Sequence, residues 1–123
     1  MTENYVNLNL SRIQRSVLVQ LRCGILPLNI ETGRFIGIAE ENRICDVCNS
    51  GCIENEYHFI FYCDAYREER AEFTDTVKLN YPNFTNTPDN VKLKTLFTFE
   101  PRMFSKFVCK ILDKRCNLLY ETV

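Results

Sequence analysis

Apolar residues recur with a helical period at both ends of the chain and lose that period in the middle. Near the N-terminus Ile13, Val17 and Leu21 stand four residues apart on one face, with Arg12, Arg15 and Arg22 on the opposite face. Ser11 followed by Gln14 matches a capping box, and Gly24 falls where such a helix would stop. A second helix is expected from an Asp64 N-cap to about Leu79, with Tyr66, Phe73 and Val77 on its buried face. After a loop over 80–86, Thr87-Pro88 supplies a cap and a first-turn proline for a short helix through Phe97. Pro101 opens the last helix, whose stripe is Phe104, Phe107, Val108, Ile111 and Leu112. The aperiodic stretch from Ile25 to Arg43 contains Pro27 and a turn at Thr32-Gly33, with Arg34 to Ile38 expected as a short strand.

The fold class expected is a mainly α, small, zinc-stabilised domain. It has an N-terminal helix, a Cys-Cys-His-Cys knuckle with short strands, then three helices. At 123 residues there is room for one domain, with residues 11–70 as helix plus metal module and 71–123 as a helical extension. A composition of 46% hydrophobic and 25% charged residues excludes wholesale disorder. No apolar run reaches the roughly 18 residues of a membrane span, and Met1-Thr2-Glu3-Asn4 does not open a secretory leader. The expectation is therefore an intracellular protein of nucleus or cytoplasm, not secreted, with no membrane partner and no small-molecule substrate.

Charge changes this picture only once it is resolved along the chain. The net charge is −1, yet residues 45–75 carry eight acids against Arg67 and Arg70. Residues 76–123 carry eight basic groups against four acids. An acidic middle thus lies between more basic arms.

The candidate chemistry sits in that acidic middle. Cys45 and Cys48 form a C-x2-C pair, and His58 and Cys63 follow at the spacing that completes a tetrahedral Cys₃His set. His58 is the single histidine of the chain. An ideal helix would leave His58 and Cys63 about 140° apart, so His58 is expected near the start of a short helical segment and Cys63 at its irregular end. The expected cofactor is Zn2+, held by Cys45, Cys48, His58 and Cys63. Cys52 is then a bystander, and Cys23, Cys109 and Cys116 are expected as buried thiols. Two alternatives are Cys45 and Cys48 as buried small hydrophobes with His58 a hydrogen-bonded core residue, and a thioredoxin-type dithiol at Cys45 and Cys48.

Enzyme classes find little to work with. The order of Cys and His is not that of a zinc deaminase. No second histidine remains to activate a nucleophile, and none of the four glycines stands in a phosphate-binding loop. No catalytic residues are expected.

One stretch resembles a known family. Leu21-Arg22, Gly24 to Asn29 (Gly-Ile-Leu-Pro-Leu-Asn), Glu31-Thr32-Gly33-Arg34 and Arg43-Ile44-Cys45 are followed by Cys48, Glu54 to Phe59 and Cys63. In that order they are similar to the zinc-binding region C-terminal to the reverse transcriptase of non-LTR (LINE-like) retrotransposon polyproteins. Residues 11–70 carry the resemblance, and no Tyr-x-Asp-Asp polymerase motif is present, so the chain looks like an isolated fragment of such a protein. The resemblance implies a non-catalytic, reverse transcriptase-associated accessory module that binds RNA.

The partners expected are RNA or DNA, with a protein partner or a second copy of the chain as the alternative. The nucleic-acid contacts expected are a ridge of Arg102, Lys106, Lys110 and Lys114 on the last helix, Arg12, Arg15 and Arg22 on the first, and Arg34 and Arg43 beside the knuckle. Tyr57, Phe59, Phe61 and Tyr62 are candidates for base stacking or core. The alternative reading is a zinc-stabilised interaction domain that uses the apolar face of the last helix.

Overall fold

A computed structural model describes residues 11–120 of the chain and is mainly helical. The helices are α1 (Arg12–Arg22), α2 (Asn29–Phe35), α3 (Arg67–Lys78), α4 (Asp89–Phe99) and α5 (Pro101–Tyr120). Three short 3₁₀ turns and one π-helical turn, His58–Tyr62, join them.

α5 is the centre of the packing, with α1, α3 and α4 all set against it. Its expected stripe explains why: Phe104, Phe107, Val108 and Ile111 are buried, and Leu112 packs at the margin. Phe73 of α3 stacks on Phe107 at 4.3 Å between ring centroids. Phe97 of α4 meets Phe104 edge-on at 5.3 Å. Burying each such ring contributes about 1.5–3 kcal/mol, so the aromatic cluster is the main support of this half of the molecule. The apolar face of α5 is therefore occupied by the protein's own core and is not an open interface.

α1 begins as its sequence dictates. Gln14 N donates to Ser11 Oγ and Ser11 N donates to Gln14 Oε1, both at 3.1 Å. The helix ends at Cys23, and Gly24 follows with φ +69°, a left-handed conformation that only glycine adopts without strain. Its buried face is Val17, Leu18 and Leu21, whereas Ile13 is 70% exposed. Each four-residue step advances about 40°, and Ile13 has turned off the face that meets the core.

Several boundaries differ from expectation. No strand occurs among the described residues, and the single β contact is an antiparallel bridge between Ile44 and Ile53. The stretch expected as a strand over Arg34–Ile38 instead begins as the end of α2 and continues as an exposed turn. Tertiary contacts decide this. Asn29 N donates to Glu54 Oε1 at 2.7 Å, which caps α2 from a residue far along the chain. Arg34 pairs with Glu31 at 2.7 Å within the helix. Gly33, expected in a turn, lies inside α2, and its lack of a side chain lets Arg43 approach, since a Cβ there would stand 2.7 Å from Arg43 Cγ.

Asp64 opens a 3₁₀ turn and caps nothing, so α3 starts three residues later, at Arg67. Arg70 takes over the work of holding that junction: its Nε donates to Ile60 O at 2.8 Å and its Nη2 to Cys63 O at 2.7 Å. Pro88 is the N-cap of α4 rather than its first residue. The Thr87 hydroxyl donates back to Phe84 O at 2.7 Å.

Candidate metal centre

Cys45, Cys48, His58 and Cys63 converge on one point, their four ligand atoms all lying within 4.8 Å of one another. Cys45 Sγ and Cys63 Sγ are 3.9 Å apart, and Cys48 Sγ is 3.4 Å from His58 Nε2. These four residues could hold a metal ion.

Local backbone geometry brings the two halves together. Cys45 N donates to Cys52 O at 2.9 Å and Glu54 N to Arg43 O at 2.9 Å, closing the loop that carries Cys45 and Cys48. Asn49 at φ 55° and Gly51 at φ 80° supply the left-handed residues this reversal needs. Backbone amides point at sulfur throughout: those of Val47 and Cys48 at Cys45, that of Ser50 at Cys48 and that of Ala65 at Cys63.

The second half answers the 140° problem. Cys63 N donates to His58 O at 2.7 Å, an i to i+5 bond. The turn is thus π-helical, and the extra residue carries Cys63 back over His58 where an α-turn would not. Asn55 Oδ1 accepts from His58 N at 2.9 Å and fixes the start of the turn.

Burial dominates the electrostatics of the four residues. Burial pushes the Cys63 thiol up to about 12, and the nearby Cys45 and Cys48 add to the rise. Burial also raises the Cys45 thiol, despite the amides of Cys48 and Val47, and Glu54 raises it further. Cys48 is the exception: against its burial, the hydroxyl and amide of Ser50 lower it. Burial holds His58 below its usual value, leaving a neutral imidazole with a lone pair to give. Burial raises the Tyr66 hydroxyl, which is fully buried and without a hydrogen-bond partner, and the nearby Cys63 and Glu54 add to the rise. Two buried thiols that resist ionisation, a third that ionises more readily and a neutral imidazole thus face one point and could hold a metal ion.

Cys52 is exposed and outside the cluster, as expected of a bystander. Of the thiols expected to be buried, Cys109 is half-buried, whereas Cys23 and Cys116 are exposed. Cys23 follows the end of α1, and Cys116 lies on the outer face of α5 next to the buried Arg115.

The basic groups separate into two kinds. Arg12, Arg15, Arg22, Arg102 and Lys106 are exposed. Lys114 is paired with Glu69 of α3 at 2.6 Å, and Lys110 stands 3.9 Å from Glu72. Half of the expected ridge therefore faces carboxylates. Arg34 pairs with Glu31, and Arg43 donates to Ile38 O and Ile30 O, acting as a brace between α2 and the knuckle. Of the four aromatics, Phe59 is core and Phe61 half-buried, while Tyr57 and Tyr62 are exposed. Sequence reasoning missed Glu54, Arg70 and Arg115 around the centre: Arg115 meets Glu54 from 61 residues away, and the contacts of Glu54 and Arg70 run through irregular turns that leave no periodic signal.

Comparison with known proteins adds no relative: no family model, curated protein or solved structure matches the chain. No helix among the described residues is long and apolar enough to cross a membrane.

Proposed function

We propose that the chain is a non-catalytic zinc module whose Cys45, Cys48, His58 and Cys63 enclose one Zn2+, and that it serves as an accessory element binding RNA. The convergence of the four donors carries the first part. A tetrahedral zinc with three sulfurs and one imidazole spaces its ligand atoms roughly 3.5–3.8 Å apart; two pairs here stand at 3.4 and 3.9 Å, and all four atoms lie within 4.8 Å of one another, close enough for a small contraction to enclose the ion. Soft thiolate donors suit zinc, and with all four positions filled by side chains no open position is left for a reacting water. Elemental analysis of purified protein is expected to give one zinc per chain. Metal-free protein that takes up no added zinc would defeat the reading.

The RNA part rests on the resemblance of residues 11–70 to the retrotransposon region and on the exposed cations of α1 and α5. Affinity for a structured RNA is expected to fall steeply with salt. It should weaken at least several-fold in Arg102→Glu/Lys106→Glu and hardly at all in Lys114→Ala, since Lys114 is already neutralised. Equal affinity in the double variant would remove α5 from the interface.

A protein-binding role is the second reading, and one observation favours it. Phe35 and Ile36 are 77% and 73% exposed at the end of α2, with Ile38 beside them. Single exposed apolar residues are ordinary, but neighbours of this size are not. A concentration-dependent dimer by light scattering, lost in Ile36→Asp, together with no salt-dependent RNA binding, is the result that would prefer it.

A further inference from the structure

Glu54 and Arg115 are among the most deeply buried charged side chains described, at 1% and 8% exposure. Arg115 Nε donates to Glu54 Oε2 at 2.8 Å and Arg115 Nη2 to Glu54 Oε1 at 2.7 Å, a two-pronged pair between α5 and the knuckle. Asn29 ties the pair to α2 through its backbone amide on Glu54 Oε1, and its side-chain amide reaches Ile44 O at 2.6 Å, next to Cys45. On its other side, Glu54 Oε2 is 3.8 Å from Cys45 Sγ. A carboxylate is thus placed against a residue that must become a thiolate.

That placement has a definite electrostatic consequence. Loading a divalent cation onto three thiols and a neutral imidazole releases three protons and leaves one net negative charge in the centre. Glu54 alone would oppose this, all the more strongly because the site is shielded from water. Arg115 cancels that opposition and fixes the carboxylate's orientation with both prongs. Contacts of this outer kind commonly set metal affinity by 10–100-fold.

Resting on the metal reading above, we infer that Arg115 is the charge-balancing and positioning residue of the metal centre. It acts through Glu54, so α5 is a working part of the site although it supplies no ligand.

Cobalt(II) titration of the full chain tests this, using the absorption of tetrahedral Cys₃His coordination. Arg115→Met should bind Co2+ at least tenfold more weakly, because it leaves a buried carboxylate unpaired beside Cys45. Its sulfur-to-cobalt charge-transfer band should move to lower energy, a change that loosened packing of α5 alone does not produce. Glu54→Gln/Arg115→Met should regain affinity to within about threefold of the natural chain and restore the band. Glu54→Gln alone should bind at least as tightly as the natural chain, and it decides the matter if Arg115→Met does not fold. A tenfold loss in Glu54→Gln, unchanged binding in Arg115→Met, or no recovery in the double variant overturns the inference while leaving the metal site standing. Absence of a tetrahedral cobalt spectrum in the natural chain overturns the metal site itself, and the inference with it.

Discussion

The helical body and the knuckle of this protein are built on opposite principles. Around α5, Phe73, Phe97, Phe104 and Phe107 interlock, and backbone groups are satisfied by their own helices. Between Ile44 and Cys63 there is one β bridge, one π turn and a set of loops. There the buried side chains are chiefly Cys45, Glu54, His58, Phe59, Ile60 and Cys63, half of them able to bind metal. The body is held by apolar area, whereas the knuckle gathers four residues that could hold a metal ion. Two regions in contact can therefore fail for different reasons.

Removing the metal should separate them most sharply. Chelation, or either of Cys48→Ser and His58→Ala, is expected to abolish order over 44–63, with a loss on the order of the 10 kcal/mol typical of structural zinc. Circular dichroism with thermal melting reads this out, and unchanged cooperative unfolding after chelation would erase the distinction. The reverse test is Phe104→Ala, which empties the body's core at a cost of about 3–5 kcal/mol in urea unfolding. Its cobalt spectrum should keep the tetrahedral form, because the ring contacts of Phe104 are with Phe73 and Phe97 of the helical body.

Arg70 spans the boundary, so its loss should register on both sides. Arg70→Met strips donors from Ile60 O and Cys63 O and is expected to cost about 1–3 kcal/mol, with weaker metal retention. Ser11→Ala, which removes the capping box of α1, should cost about 1 kcal/mol and leave metal content alone.

The smallest effect belongs to the surface pair. The hydrogen bond from Lys114 holds the Glu69 carboxyl below its ordinary value. The pair's contribution is therefore present at neutral pH and is lost as pH falls through that lowered value. Lys114→Ala should cost under about 1 kcal/mol at neutral pH, and the difference from the natural chain should vanish in acid.

The parts readable from sequence are those governed by local rules. Ser11 and Gln14 marked the start of α1, and Pro101 the start of α5. The spacing of Cys45, Cys48, His58 and Cys63 identified four residues that do come together. The unread parts depend on partners distant in the chain. Arg34 to Ile38 has strand-like composition, yet Glu54 caps α2 and the described residues hold no strand for it to pair with. The ridge on α5 looked uniformly free because nothing in its own sequence shows that Glu69 and Glu72 of α3 face it. The π turn was visible only as an awkward angle between His58 and Cys63.

The bidentate contact between Glu54 and Arg115 also closes a long loop of the chain. The two residues are 61 apart in the chain, whereas Cys45 and Cys63 are 18 apart. Closing the shorter loop costs less entropy, and on a ribosome all four donors emerge before the end of α5 exists. The four residues of the knuckle can then gather first, with Arg115 arriving last to close the contact with Glu54.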